Sequence, residues 1–177
     1  MKEKSLYIVL SQSGAIFARA LKLFTRAEYN HVSISLTPTL ERMYSFARLN
    51  PYNPWKAGFV EEGIHIGTFK RFDKTQAMVM ELKVDEATYM RVKSMIDIFR
   101  ENKYKFHYNY WGVFFACFKK NFTPKYHFYC SQFVRSCLAL FNISNSNSLP
   151  KIIKPIDFLK LDNKKIIYQG RLQQYSY

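Results

Sequence analysis

Residues 31–36, HVSISL, alternate polar and apolar without a break. Val32, Ile34 and Leu36 fall on one side; His31, Ser33 and Ser35 fall on the other. A period of two fits a pleated strand with one face in the core and does not fit a helix. The stretch AMVMELKV (77–84) repeats the device, with Met78, Met80, Leu82 and Val84 in register. SLYIVL (5–10) is an apolar run of strand length, and MYSFAR (43–48) returns after the turn TPTLER as the second arm of a hairpin. GIHIGTF (63–69) reads as a further short strand, whereas NPYNPW (50–55) reads as a proline-broken loop.

Helical periods lie between and after these segments. Residues 14–26 place Phe17, Ala20, Leu21 and Phe24 on one face, with Ser13 as a cap. Asp85 caps a helix running to about residue 102, with Tyr89, Val92, Ile96 and Phe99 on its buried stripe. Residues 109–119 and 129–141 give two more helices. NISNSNS (142–148) is a polar loop, and the tail holds a helical turn after Pro155 and a last strand near 165–169. Strands and helices mix without regular alternation, so the expected class is α+β, an antiparallel sheet packed against helices. There are no repeats and no linker, and 177 residues suit one domain spanning 1–177.

Charge is unevenly spread. Of the formal +14, residues 102–177 carry +10, from 12 Lys/Arg against 2 Asp/Glu. In RENKYKFHYNYWGVFFACFKKNFTPKYHFY (100–129) the cations interleave with aromatic rings. Such a segment suits an anionic lipid surface, or a core helix with basic, solvated ends. Nucleic acid is a weaker expectation, because no ribonucleoprotein motif, zinc finger or phosphate-binding glycine loop is present. The longest apolar stretch, YWGVFFACF (110–118), is too short to span a bilayer. The apolar run near the N-terminus stops at SQSG and reads as mature protein, so a reducing cytoplasm is the expected compartment. No cofactor and no metal are expected: His127 and Cys130 lie three apart, but nothing completes a tetrahedral ligand set.

The three cysteines are Cys117, Cys130 and Cys137. On a helix beginning near residue 129, Cys130, Phe133, Val134, Cys137, Leu138 and Phe141 share a stripe. On that count Cys130 is a small core hydrophobe like Cys137, and Cys117 is a third. Position separates them. Cys130 falls in the first turn, where unpaired amides and the positive end of the helix dipole favour a thiolate. Cys137 lies two turns further in. A thiolate nucleophile needs a base. His65 sits between two isoleucines, while His107 and His127 fall in the basic aromatic segment. His31 opens a strand and shares its face with two serines, as an imidazole facing a polar cleft would.

NHVSISLTPTLERMYSF followed much later by FYCSQFV, and then by PIDF (155–158), resembles the circularly permuted branch of the NlpC-type papain-like cysteine hydrolases. In that branch the histidine strand precedes the cysteine helix, an order shared with the lecithin retinol acyltransferase-like enzymes. The resemblance implies a permuted papain-like fold. It implies Cys130 as nucleophile, His31 as general base, and a polar residue on the next strand to orient the imidazole. That residue falls at Ser45, where relatives more often carry His, Asn, Gln or Glu; Glu41 and Ser33 are alternatives. The oxyanion hole would use the Cys130 backbone N–H and a second donor, Gln12 of the SQSG turn. The implied chemistry is acyl transfer from a peptide, amide or lipid-acyl substrate through an acyl-enzyme, as an amidase, peptidase or acyltransferase. The alternative is a non-catalytic binding module on the same fold, using the basic aromatic surface for anionic lipid or nucleic acid.

Overall fold

A computed structural model describes residues 3–12, 28–50 and 52–177. The helix expected over 14–26, and the Ser13–Gly14 part of the SQSG turn, lie outside the described residues. Eight strands form one sheet: β1 (Glu3–Gln12), β2 (His31–Ser35), β3 (Met43–Asn50), β4 (Asn53–Glu62), β5 (Gln76–Asp85), β6 (His107–Tyr108), β7 (His127–Phe128) and β8 (Lys164–Arg171). Their order is β7-β6-β4-β3-β2-β1-β5-β8. Neighbours pair antiparallel except β6 with β7, which run parallel. The α+β class is therefore present, with the sheet expected from the alternating segments. Four α-helices are described: α1 (Gly67–Arg71), α2 (Glu86–Glu101), α3 (Tyr110–Cys117) and α4 (Cys130–Ala139).

The alternation in β1 and β2 divides the core. Leu6, Ile8, Leu10, Val32 and Ile34 cluster with Val92, Ile96 and Phe99 of α2 and with Phe133, Val134, Cys137 and Leu138 of α4. Tyr7, Val9, Met43 and Val79 cluster with Phe69 of α1, Leu40 and Leu172. Burial of whole apolar side chains on both faces supplies roughly 1.5–3 kcal/mol each and fixes the register, since a one-residue slip would turn every one of them over. The Asp85 side chain accepts from the Thr88 amide, the N-cap expected of it.

Two expectations fail around β4. NPYNPW is not a free loop: β3 ends at Asn50, β4 begins at Asn53, and the two pair as a hairpin. Pro54 is tolerated because β4 meets its outer neighbour β6 at Gly58, leaving the Pro54 end as a free edge. GIHIGTF is not a strand. Gly63 and Ile66 form an isolated bridge, after which the chain turns into α1. A Cβ at Gly63 would lie 2.4 Å from the Glu41 carbonyl oxygen, so this tight turn requires glycine.

Candidate active site

The hairpin just described carries the first surprise. Glu62, the last residue of β4, is buried, and its Oε2 lies 2.9 Å from His31 Nε2. The Ser33 hydroxyl donates to the same carboxylate oxygen at 2.6 Å and lies 3.2 Å from His31 Nε2. The Nε2 edge of the ring is thus occupied by Glu62 and Ser33. Phe69 of α1 contacts the imidazole, with ring centroids 6.3 Å apart.

Cys130 opens α4, as the stripe and the first-turn position required. Its thiol lies 3.9 Å from Ser131 Oγ, and His31 and the Val32 backbone amide are close enough to act on its ionisation. Both partners are largely enclosed, each 8% exposed. Gln132 holds the helix start in place: its Oε1 accepts from the Tyr129 amide and from Asn109 Nδ2, both at 3.1 Å. Asn109 in turn accepts from the Gly112 amide at 2.8 Å and so starts α3.

The electrostatics follow from these contacts. Burial opposes ionisation of the Cys130 thiol, but the hydrogen bond and positive charge of His31, with the Val32 amide and Ser131, outweigh it and lower its pKa. Burial likewise opposes the imidazolium of His31. The Glu62 carboxylate and the Cys130 sulfur outweigh it and raise the His31 pKa to about 10. Cys137, deep in the same helix, has its pKa pushed up by burial. The two thiols of one helix are thus driven in opposite directions.

A cleft of about 340 Å³ opens beside the sulfur. Tyr29, Tyr108, Tyr129, Cys130 and Ser131 line it on one side, and Val113, Ala116 and Cys117 of α3 line it on another. Its charged lining residues are Lys119 and Lys154. Burial, and then the neighbouring Cys130, raise the Tyr108 pKa, so its phenol stays protonated and available as a donor.

Other sequence-derived candidates sit elsewhere. Ser45 is buried on β3, but its hydroxyl donates to the Val32 carbonyl at 2.7 Å, so it supports the strand that carries His31 and does not orient the ring. A serine hydroxyl is too short to serve both. Glu41 is exposed in the turn before β3. Ser33, the other alternative, does touch the imidazole edge. Gln12 closes β1 in register with Gln76. Cys117 is exposed, against its expected place in the core. His65 is exposed, and His107 and His127 stack on one another at 5.2 Å on β6 and β7. Glu62 and Tyr108 went unread in the sequence. A strand through NPWKAGFVEE would have carried Glu62 to the sheet, and the two prolines hid it. No grouping of three or more His, Cys, Asp or Glu fit for a metal occurs among the described residues.

No family model matches the chain, and neither curated proteins nor solved structures give a match. Among the described residues, no helix is long and apolar enough to cross a membrane.

Proposed function

We propose that this chain is a cysteine hydrolase or acyltransferase of permuted papain-like type, with Cys130 as nucleophile, His31 as general acid–base and Glu62 orienting the imidazole. The observation that carries the reading is the buried His31–Glu62 pair at 2.9 Å, with its imidazole acting on the thiol of Cys130, which opens a helix and lines a cleft. A core cysteine needs neither the buried base nor the buried carboxylate, and burying those groups costs free energy unless they are paired. The order of histidine strand, then cysteine helix, matches the permuted arrangement.

The chemistry runs as follows. The Cys130 thiolate attacks a carbonyl carbon, forming the S–C bond and moving the π electrons onto oxygen. The oxyanion lies against the first-turn amides of α4, which the helical ladder leaves unused. The Tyr108 hydroxyl supplies the second donor in place of Gln12. Imidazolium His31 gives its proton to the leaving nitrogen or oxygen as that bond breaks. Water, or an acceptor hydroxyl or amine, then attacks the thioester while His31 removes its proton, releasing the acyl group and restoring the thiol pair. Lys119 and Lys154 at the cleft favour substrates bearing a negative group near the scissile carbonyl.

The test is the pH dependence of carbamidomethylation by iodoacetamide, followed at each cysteine by peptide mass mapping. The reading expects Cys130 to react well below pH ~8.5, the midpoint of an unperturbed thiol, and His31→Ala to abolish that early reactivity. A Cys130 that reacts only above that midpoint, indifferent to His31→Ala, overturns it.

A further inference from the structure

Helix α3, YWGVFFAC, is apolar around its whole circumference, yet of its residues only Gly112 is buried. Helices of that composition are ordinarily enclosed by protein or lipid. Here Trp111 is 63% exposed, Phe114 52% and, just past the helix, Phe118 61% and Phe122 41%. The rings pack on one another: Trp111 with Phe114 at 5.9 Å, Phe114 with Phe118 at 5.3 Å, and Phe115 with Phe122 at 5.4 Å. The chain then turns through Lys119, in a left-handed conformation, and Lys120, both exposed. No Asp or Glu occurs from residue 102 to residue 156. A contiguous aromatic patch with a basic rim is rare on a monomeric protein unless something covers it.

We propose that α3 and the Phe118–Phe122 segment form a peripheral docking surface for an anionic phospholipid bilayer, with the aromatic rings in the interfacial layer and Lys119 and Lys120 on the headgroups. Charge decides the occupant. A second copy of this chain would bring two basic rims together, whereas an anionic leaflet complements the rim and accepts the rings. The length of α3, eight residues, fits lying in the interface and not crossing it. The surface has a consequence that rests on the proposed function. Val113, Ala116 and Cys117 on the inner side of α3 line the cleft beside Cys130, so docking would set the mouth of that cleft at the headgroup level.

Co-sedimentation with phosphatidylcholine vesicles, with and without about a third phosphatidylserine or phosphatidylglycerol, tests the proposal. Tryptophan emission of the Trp55→Phe variant makes Trp111 the single reporter. The expected result is binding to anionic vesicles with a blue shift of Trp111, weakened by salt and at least about tenfold weaker on neutral vesicles. The variant Trp111→Ser, Phe114→Ser, Phe118→Ser should lose binding by about tenfold or more, and Lys119→Glu with Lys120→Glu should lose the preference for anionic lipid. Because these side chains lie outside the core, circular dichroism checks that the variants remain folded. Absent binding at low salt, binding undiminished in the aromatic variant, or a concentration-dependent dimer that the same variant abolishes would each overturn the proposal. Cys130→Ala must bind as the parent does, so failure of the catalytic reading leaves the docking result standing, and the reverse also holds.

Discussion

Cys130 and Cys137 lie seven residues apart on one stripe of one helix, both are buried, and their thiols are driven in opposite directions. Cys137 is fully enclosed among apolar side chains, and burial dominates its behaviour, outweighing the backbone hydrogen bond that favours the thiolate. Cys130 suffers the same desolvation, but at the first turn it meets His31 and the Val32 amide, and these reverse the sign. Burial alone therefore does not set the direction in which a thiol is driven. The distinguishing feature is a countercharge delivered to the same enclosed place, and the chain delivers it from a strand 99 residues earlier.

The strongest way to break the comparison is to remove one member of the pair. Cys130→Ala should abolish acyl-enzyme formation with activated esters, read by intact mass, while leaving Cys137 as unreactive as before. His31→Ala comes next. It removes the proposed general acid–base, for which losses of about 10²–10⁴-fold are usual, and it should make Cys130 behave more like Cys137 as its thiolate loses its countercharge. A Cys130 that still ionises early in His31→Ala would place the cause in the helix start and not in the imidazole.

Glu62→Gln sharpens the comparison without removing the ring. The carboxylate favours the imidazolium, so its loss lowers the His31 pKa from about 10. Acyl transfer needs the protonated ring for the leaving group, so the alkaline limb of the pH–rate profile should move to lower pH by about one unit or more. The acid limb, where Cys130 ionises beside a ring that is still protonated, should stay in place or fall slightly, since loss of a carboxylate does not disfavour the thiolate. Titrating kcat/KM on an activated ester over pH 5 to 11 reads both limbs. An unmoved alkaline limb removes Glu62 from the role.

The pair and the carboxylate beside it were unequally legible in the sequence. His31 and Cys130 each follow from a local period: a strict alternation puts a histidine on the polar side of a strand, and a helical stripe puts a cysteine at its first residue. Both periods hold in the structure, as do the sheet and the helices over 86–101, 110–117 and 130–139. Glu62 is not local. Its place depends on the hairpin from β3 to β4, whose second strand contains Pro54, and the prolines of NPYNPW read as breakers. Edge geometry at one end of β4 overrode the proline signal. Ser45 shows the converse error. It lies one strand over from His31, as an orienting residue should, but a hydroxyl finds the nearest carbonyl, here that of Val32. The exposed face of α3 was hidden for a third reason: composition cannot say which side of an apolar helix the fold leaves uncovered.

The smallest expected effects come from the residues that only support the pair. Ser45→Ala removes a buried donor to the Val32 carbonyl and should cost about 1 kcal/mol of stability. Cys137→Ala removes one sulfur from a packed core and should cost about 1 kcal/mol by the cavity it leaves. Neither touches the His31 ring or the Cys130 sulfur. Urea denaturation should register both losses, while the midpoint of Cys130 carbamidomethylation should stay at its wild-type pH in both variants. The Ser45 result discriminates most sharply. If that midpoint moves upward in Ser45→Ala, the placement of β2 through Val32 contributes to the thiolate, because the Val32 amide meets the Cys130 sulfur from the same residue whose carbonyl Ser45 holds.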